Sequence, residues 1–189
     1  RTELSVFGFP FTEFRPHQRD AAKEVFRAIR DQGTLFLQAP TGIGKTMAVL
    51  YPSLKALGLG YAAKLFFFTA KNSGAAAAEK ALFLMVPKLP HLRWISITAK
   101  GKICFLLGGE GTGRREDLRP PCESADCPYA RDYYRKLKDA LLELFAHACF
   151  TRKRIEEIAH TYCVCPFELS LDLSLYCDVI VADYNYGFD

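Results

Sequence analysis

Apolar and polar positions follow two different periods along the chain, and these predict helices and strands in turn. Apolar residues recur every three or four positions over 18–32, which predicts an amphipathic helix that Gly33 ends. Short runs of aromatic and β-branched residues predict strands. In chain order, the pattern predicts a buried strand at 34–37, a helix from about 45 to 57 closed by Gly58, a strand at 65–68, a helix at 73–86 and a strand at 94–98. This alternation is typical of an α/β protein with a parallel sheet and helical crossovers.

The alternation stops in the middle of the chain and resumes near its end. A Gly/Arg-rich loop precedes two further helical patterns, and a helix and a strand then follow; the ranges are 108–119, 129–148, 152–162, 166–176 and 179–182. We therefore predict three segments. Residues 1–103 form the first part of an α/β lobe, 104–165 form a mostly helical insertion, and 166–189 return to the lobe.

The nine residues Gln38-Ala39-Pro40-Thr41-Gly42-Ile43-Gly44-Lys45-Thr46 are the strongest local pattern. A glycine loop that ends in Lys-Thr between a strand and a helix is typical of a phosphate-binding loop. The glycines let backbone N–H groups point inward, and the helix dipole adds positive potential. Lys45 is predicted to reach the terminal phosphates, and the hydroxyl of Thr46 to hold Mg²⁺. The first glycine of the usual pattern is replaced by Ala39.

Half of the 189 residues are hydrophobic and 24% are charged, which indicates one globular domain with an insertion. No apolar run is long enough to span a bilayer, and no signal peptide precedes the chain. We therefore predict no membrane partner and a cytoplasmic protein, associated with the nucleoid in a bacterium or nuclear in a eukaryote. The sequence begins at Arg1 instead of Met, which suggests an excised or processed piece.

Seven cysteines without a secretory segment favour metal or cluster ligation over a disulfide framework. Cys104, Cys122, Cys127 and Cys165 bracket the predicted insertion. Four thiolates can hold either tetrahedral zinc or an iron–sulfur cluster, and their spacing does not choose between the two. Free buried thiols are the alternative.

The net charge of +4 arises within one stretch, because residues 100–154 contain twelve Lys/Arg against eight Asp/Glu. This stretch interleaves cations with aromatic residues: Arg131, Arg135, Lys136 and Lys138 with Tyr129, Tyr133 and Tyr134. Such a face suits a single-stranded nucleic acid, but a supporting helix with buried tyrosines shows the same pattern. His147 and His160 lie on helical patterns without partners at ligand spacing, which indicates structural roles.

Five further motifs occur in a fixed order with these features. They are Arg15-Pro16-His17-Gln18, the Ala39–Thr46 loop, Phe68-Thr69-Ala70-Lys71, the run from Thr98 to Cys104, and Cys165-Pro166-Phe167-Glu168-Leu169-Ser170. Together they resemble the first motor lobe of the XPD/DinG-type iron–sulfur DNA helicases of superfamily 2, over nearly the whole chain. The resemblance implies a RecA-like P-loop lobe interrupted by a four-cysteine insertion with a 4Fe–4S cluster. It also implies ATP- and Mg²⁺-dependent movement on single-stranded or forked DNA, typically 5′ to 3′, by a monomeric motor that uses the insertion as a wedge.

The resemblance also implies roles for individual residues. Gln18 matches the adenine-reading glutamine, and Thr41, Gly42, Ile43, Gly44, Lys45 and Thr46 match the nucleotide site, with Lys45 and Thr46 catalytic. Thr69, Lys71 and Lys100 match DNA contacts, and the four cysteines match the cluster ligands. Ala39 in place of glycine is usual in superfamily 2.

Two departures from the family qualify this interpretation. No Asp-Glu-x-His box and no second lobe occur within the 189 residues, so we expect this fragment alone to be inactive as an ATPase. Asp183 ends an apolar strand and looks like a magnesium ligand, but no Glu follows it. The competing function is a zinc-stabilised nucleic-acid-binding module with a regulatory nucleotide site.

The fourth cluster ligand requires a choice between Cys163 and Cys165. Pro166 follows Cys165 and suits the first position of a helix, which places Cys165 at the N-cap. There the helix dipole is predicted to lower the thiol pKa, whereas Cys163 lies at the end of the preceding helix. We therefore predict that Cys165 is the ligand.

Overall fold

The computed structural model describes residues 2–107 and 127–188, the side chain of Thr2 excepted, and these form a mixed α/β protein. In chain order the elements are α1 (Thr2–Val6), α2 (Gln18–Arg30), α3 (Lys45–Gly58), β1 (Leu65–Thr69), α4 (Asn72–Met85), a 3₁₀ turn (Val86–Lys88), β2 (Trp94–Ser96), α5 (Lys100–Ile103), α6 (Tyr133–Leu144), β3 (Cys149–Phe150), α7 (Arg152–Tyr162), α8 (Pro166–Ser174), β4 (Val179–Asp183) and α9 (Asn185–Phe188). The chain divides into two compact units, Arg1–Leu92 with Asp178–Asp189, and Arg93–Cys177.

Helix α3 forms the centre of the first unit. Its residues Leu50, Leu54 and Leu57 are buried, and it packs against α1, α2 and α4. The helix continues through Pro52, where the hydroxyl of the next residue donates to Val49 O at 2.7 Å. An apolar face that is enclosed in this way stabilises a helix despite an internal proline.

Two glycines close α3, for different reasons. A Cβ on Gly58 would lie 2.5 Å from Leu4 of α1, so only glycine lets the two helices approach this closely. Gly60 has φ +83°, and the N–H of Tyr61 donates to Ala56 O at 3.0 Å. The predicted end at Gly58 is confirmed, but the left-handed residue that reverses the chain is Gly60.

The strands of the first unit pair in parallel, with Leu65 opposite Val179 and Thr69 opposite Asp183. Four of the five residues of β4 are buried, and α4 packs against both strands. Strands enclosed on their faces are expected to be continuous apolar runs, as the sequence of β4 is.

The second unit has its own core and a second parallel strand pair. Trp94 pairs with Cys149, and Ile95 pairs with Phe150. Helices α6, α7 and α8 pack against one another and bury Leu144 and Ile155, while α8 also packs against β2. The predicted α/β class with parallel strands is confirmed within both units.

Most predicted elements occur within a few residues of their expected bounds, and the helix at 152–162 has the bounds predicted for it. The predicted boundaries of the insertion, 104 and 165, stay predictions. The Gly/Arg-rich loop and Cys122 lie outside the described residues.

The predicted strand at 34–37 is wrong. These residues form no strand, and Phe36 is 94% exposed. An extended apolar run needs a hydrogen-bonded neighbour to become a strand, and no strand of the described residues pairs with it. The sequence pattern recognises the composition of a strand but not the presence of its partner.

The pattern also failed at short elements. The helix predicted at 129–148 spans Tyr133–Leu144 only, because the chain then turns so that Ala148 O accepts from Trp94 N–H at 3.1 Å and β3 begins. Helices of four or five residues and a strand of two residues carry too few positions to show a period, so α1, α5, α9 and β3 went unpredicted.

Candidate functional site

The glycine loop before α3 adopts the backbone shape that its sequence requires. Gly42 has φ +92° and Gly44 has φ +80°, a region that residues with a side chain rarely adopt. Gly44 is the N-cap of α3, so the first N–H groups of a 14-residue helix begin at the loop. Thr41 is exposed and Ile43 half-buried on the same loop. This arrangement gives the loop the positive end of a helix dipole.

Lys45 is the first residue of α3 and lies folded over the loop. Its ammonium group donates to Ala39 O and Pro40 O, both at 2.9 Å. The two carbonyls hold the cation against the segment that a phosphate group would face. Thr46 follows in the first turn and lines the adjoining cleft.

Gln18, the first residue of α2, and Arg15, three residues before it, brace the loop from the other side. The amide group of Gln18 donates to Gly44 O at 3.1 Å and accepts from the N–H of Arg15 at 3.0 Å. The guanidinium of Arg15 donates to Gly42 O. Gln18 is only 3% exposed, so both polar atoms of its amide are satisfied by backbone in a nearly water-free position.

This brace gives Gln18 a role that the sequence did not suggest, since its amide contacts Gly44 and Arg15. The adenine-reading role implied by the resemblance stays a prediction. Arg15 was not singled out from the sequence as a site residue. Its sequence signal was its place at the start of the Arg15-Pro16-His17-Gln18 motif.

A cleft of about 400 Å³ opens between the braced loop and α4. Its walls combine apolar side chains, among them Phe11, Ala81 and Leu84, with the polar groups of Glu13, Arg15 and Lys80. Sites for small molecules commonly have volumes of roughly 300–1,000 Å³ and a mainly apolar lining with few polar groups. The cleft is therefore large enough for a nucleotide base and sugar beside the loop.

Thr69 and Asp183 end the paired strands β1 and β4. The hydroxyl of Thr69 donates to Lys71 O at 2.7 Å and accepts from Lys71 N–H at 3.3 Å. These bonds engage only the backbone of Lys71, and its side chain is exposed. Asp183 accepts from the N–H of Asn185 at 3.1 Å and so caps the turn into α9. In this arrangement Asp183 has a structural function.

Three of the four predicted cluster cysteines surround one small cavity in the second unit. Cys104, Cys127 and Cys165 line a space of about 130 Å³, together with Phe105, Tyr129, Ala130, Pro166 and Glu168. A cavity needs roughly 10–15 Å³ to hold a single water, so this space is large enough for more than one. Cys122 lies outside the described residues, within which no group of three or more His, Cys, Asp or Glu side chains is close enough to hold a metal ion.

Cys165 is the N-cap of α8 and Pro166 is at its first position, as predicted. The predicted direction of its thiol pKa is wrong. Burial raises the pKa of Cys165, and this outweighs the lowering by hydrogen bonds from the backbone N–H groups of Glu168 and Phe167. The free-energy cost of removing the thiolate from water is larger here than its stabilisation by the N–H groups at the helix N-terminus.

Cys163 has a different environment from Cys165. It is the left-handed C-cap of α7, with φ +50°, and it does not line the cavity. Its thiol lies 3.7 Å from Pro128 O. The structure thus brings Cys104, Cys127 and Cys165 together and leaves Cys163 apart.

Lys100 begins α5 and lies against α8. Its ammonium group is 3.7 Å from a carboxylate oxygen of Glu168 and 5.4 Å from the centre of the Phe167 ring. The two partners lie two and three residues after Cys165 in the chain. The lysine therefore contributes positive charge next to the cysteine cavity.

The basic stretch on α6 is partly structural. Tyr133 is buried and donates to Asp172 at 2.7 Å, and Lys136 donates to Cys163 O at 3.1 Å. Arg135 pairs with Asp132, whereas Tyr134 and Lys138 are exposed. His160 packs against the ring of Phe105, in agreement with a structural role. Only part of this helix face is thus open to a partner.

Comparison of the chain with the known protein families and with curated proteins finds no match. Within the described part of the chain, no helix is both long and apolar enough to span a membrane.

Proposed function

We propose that the protein is the ATP-binding and cluster-bearing part of an iron–sulfur DNA helicase, with a RecA-like first lobe. The observation that carries this proposal is the braced loop. Gly42 and Gly44 adopt φ values typical of glycine, and Arg15 and Gln18 hold their carbonyl oxygens beside a cleft of nucleotide size. An ordinary turn before a helix does not require a buried side-chain amide, such as that of Gln18, to hydrogen-bond to its backbone.

The loop residues have separate tasks in this proposal. Lys45 exchanges Ala39 O and Pro40 O for phosphate oxygens, to which its ammonium group donates more strongly because they are charged. The N–H groups at the start of α3 face the phosphates, and the hydroxyl of Thr46 holds Mg²⁺. Gln18 keeps the loop in the shape that receives the phosphates, which is a positioning role.

Cys104, Cys127 and Cys165 are proposed to hold a 4Fe–4S cluster together with Cys122. Their fit is supported by the cavity that they share and by the soft thiolate donors that such clusters require. Once bound, the cluster supplies folding free energy to the unit around it. The protein orients the thiols through α8, whose first turn presents Cys165, and through the contact of Lys100 with Glu168.

Single-stranded or forked DNA is the proposed partner, contacted by Thr69, Lys71 and Lys100. Lys71 is exposed beside the carboxyl end of β1, where ligands of α/β proteins commonly bind. Catalysis requires a carboxylate pair and a second lobe from outside these residues.

The proposal is tested by nucleotide titration and by a visible spectrum on the same preparation. We expect a fluorescent ATP analogue to bind weakly, and Lys45→Ala to abolish that binding while Lys153→Ala, an exposed lysine of α7, leaves it unchanged. We expect a brown protein with iron. Equal binding by all three proteins would exclude the phosphate loop.

A colourless protein with bound zinc would instead support the second candidate, a zinc-stabilised nucleic-acid-binding module with a regulatory nucleotide site. The same three thiols favour it, because cysteine thiolates also form tetrahedral zinc sites.

A further inference from the structure

A second concave surface of the first unit lies between α2 and α3, apart from the phosphate loop. It has a volume of about 410 Å³, and its floor is apolar, formed by Ala22, Pro52 and aromatic rings. Five cations surround it: Arg19, Lys23, Arg27, Arg30 and Lys55. None of the described residues that line this basic groove is acidic.

The cations are spaced regularly along one wall. Arg19, Lys23 and Arg27 follow one another at intervals of four residues on α2, so they form a row with a step of about 6 Å. This step is close to that between successive phosphates of a nucleic acid strand. Lys55 contributes a positive charge from α3 on the opposite wall.

These charges are available to a ligand. Lys23 and Arg27 each pair with a carboxylate on the exposed side of α2, and Arg30 pairs with Asp31. Exposed pairs of this kind are weak and readily exchanged for a stronger anion. Arg19 and Lys55 have no carboxylate partner among the described residues.

The aromatic rings of the groove already have partners within the chain. Lys55 lies 5.5 Å from the centre of the Tyr51 ring, which also packs edge-on against Phe7 and Phe9. Phe26 packs edge-on against Tyr61. A strand in this groove would therefore be recognised through phosphates on the rim and sugars on the floor, without sequence preference.

We propose that the basic groove is an accessory binding site for the phosphate backbone of a nucleic acid strand. It is separate from the contacts assigned to Thr69, Lys71 and Lys100. The inference rests on the proposed function only in naming DNA as the polymer. Its contribution is electrostatic, so it holds a strand without reading its bases.

The test measures the affinity of the 189-residue protein for labelled dT20 as a function of salt concentration. Each phosphate contact on a single strand contributes about 0.7 to the slope of log affinity against log salt. We expect Arg19→Gln with Lys55→Gln to weaken binding and to flatten this slope by about 1.4. Lys153→Gln, which removes one exposed cation elsewhere, is the control, and unchanged melting temperatures show that the variants remain folded.

The outcomes separate this site from the proposed motor path. If the slope of log affinity against log salt is unchanged in the double variant but flattened by Lys71→Ala or Lys100→Ala, the groove proposal is overturned and the proposed function is left intact. The reverse pattern supports the groove and removes the assigned DNA contacts. A labelled poly-L-glutamate that binds more tightly than dT20, and does so through Arg19 and Lys55, would overturn the proposal in favour of an acidic protein partner.

Discussion

The phosphate loop and the cysteine cavity differ in how many of their polar side chains are hydrogen-bonded within the chain. Around the loop, the polar side chains have partners within the chain: Gln18 holds Gly44 and Arg15, and Lys45 holds two carbonyls. Around the cavity, three thiols face a shared space, and burial raises the pKa of one of them. The chain's own hydrogen bonds fix the shape of the first site, whereas the second is a small cavity lined by thiols.

The largest expected effect comes from the cavity. Cys165→Ser is expected to abolish the visible absorption band and to remove the iron, because a hydroxyl replaces the thiolate at the start of α8. The second unit should then be cleaved faster in limited proteolysis. Cys163→Ser, two residues away and outside the cavity, should keep its iron. Iron loss in the second variant alone would reverse the assignment of the ligand.

The next largest effect is expected at the loop. In Gly44→Ala the new Cβ would lie 2.4 Å from Nε2 of Gln18, at φ +80°. Strain at such a position costs about 1–3 kcal/mol, so the melting temperature should fall and the fluorescent ATP analogue should no longer bind. Gly8→Ala is the control, since nothing lies within 4 Å of its added Cβ. Equal stability of the two variants would show that the brace does not constrain the loop.

A smaller effect is expected when the brace loses its donor. Gln18→Ala removes one of two donors to Gly44 O, which still accepts from Ala48 N–H, so we expect a loss of about 0.5–1.5 kcal/mol in unfolding free energy. Gln18→Glu keeps an acceptor for Arg15 N–H but cannot donate in its ionised form, so we expect it to bind the ATP analogue as weakly as Gln18→Ala. Denaturant unfolding and titration measure the two effects. Normal nucleotide affinity in Gln18→Glu would mean that the donor to Gly44 is dispensable.

The smallest effect concerns the support of α8 by α6. Burial, followed by the hydrogen bond to Asp172, raises the pKa of Tyr133 far above its ordinary value of 10.0. The unfolded chain therefore loses this proton as the pH rises above about 10 while the folded chain keeps it, so stability falls there by up to about 1.4 kcal/mol per pH unit. Tyr133→Phe should remove this part of the pH dependence. The exposed Tyr134→Phe should not, and equal slopes in the two variants would contradict the assignment.

How much of this could be predicted from sequence depended on the range of the interaction. Helices and the bounds of α7 follow from local periodicity, and the positions of Gly44 and Cys165 follow from local backbone chemistry. The strand at 34–37 could not be judged, because pairing depends on a distant segment. The pKa of Cys165 was misjudged because the dipole at a helix end is visible in sequence, whereas burial is not.

The roles of Gln18 and of the basic groove show the same limit. A motif indicated that Gln18 belongs beside the loop, but only coordinates show that Gly44 O and Arg15 N–H occupy its amide. The cations of α2 look like the solvated face of an amphipathic helix, and Lys55 across from them is twenty-five residues after the last cation of α2, Arg30. No local sequence pattern therefore indicates the groove.

The exposed apolar run at 34–37 has a consequence for the colloidal behaviour of this protein. Leu35 and Leu37 are more than a third exposed and Phe36 is 94% exposed, in a segment without regular structure that pairs with no strand of the described residues. Segments of this kind pair with copies of themselves and seed aggregates. Self-association will therefore increase with protein concentration, and a charged residue in place of Phe36 is expected to reduce it.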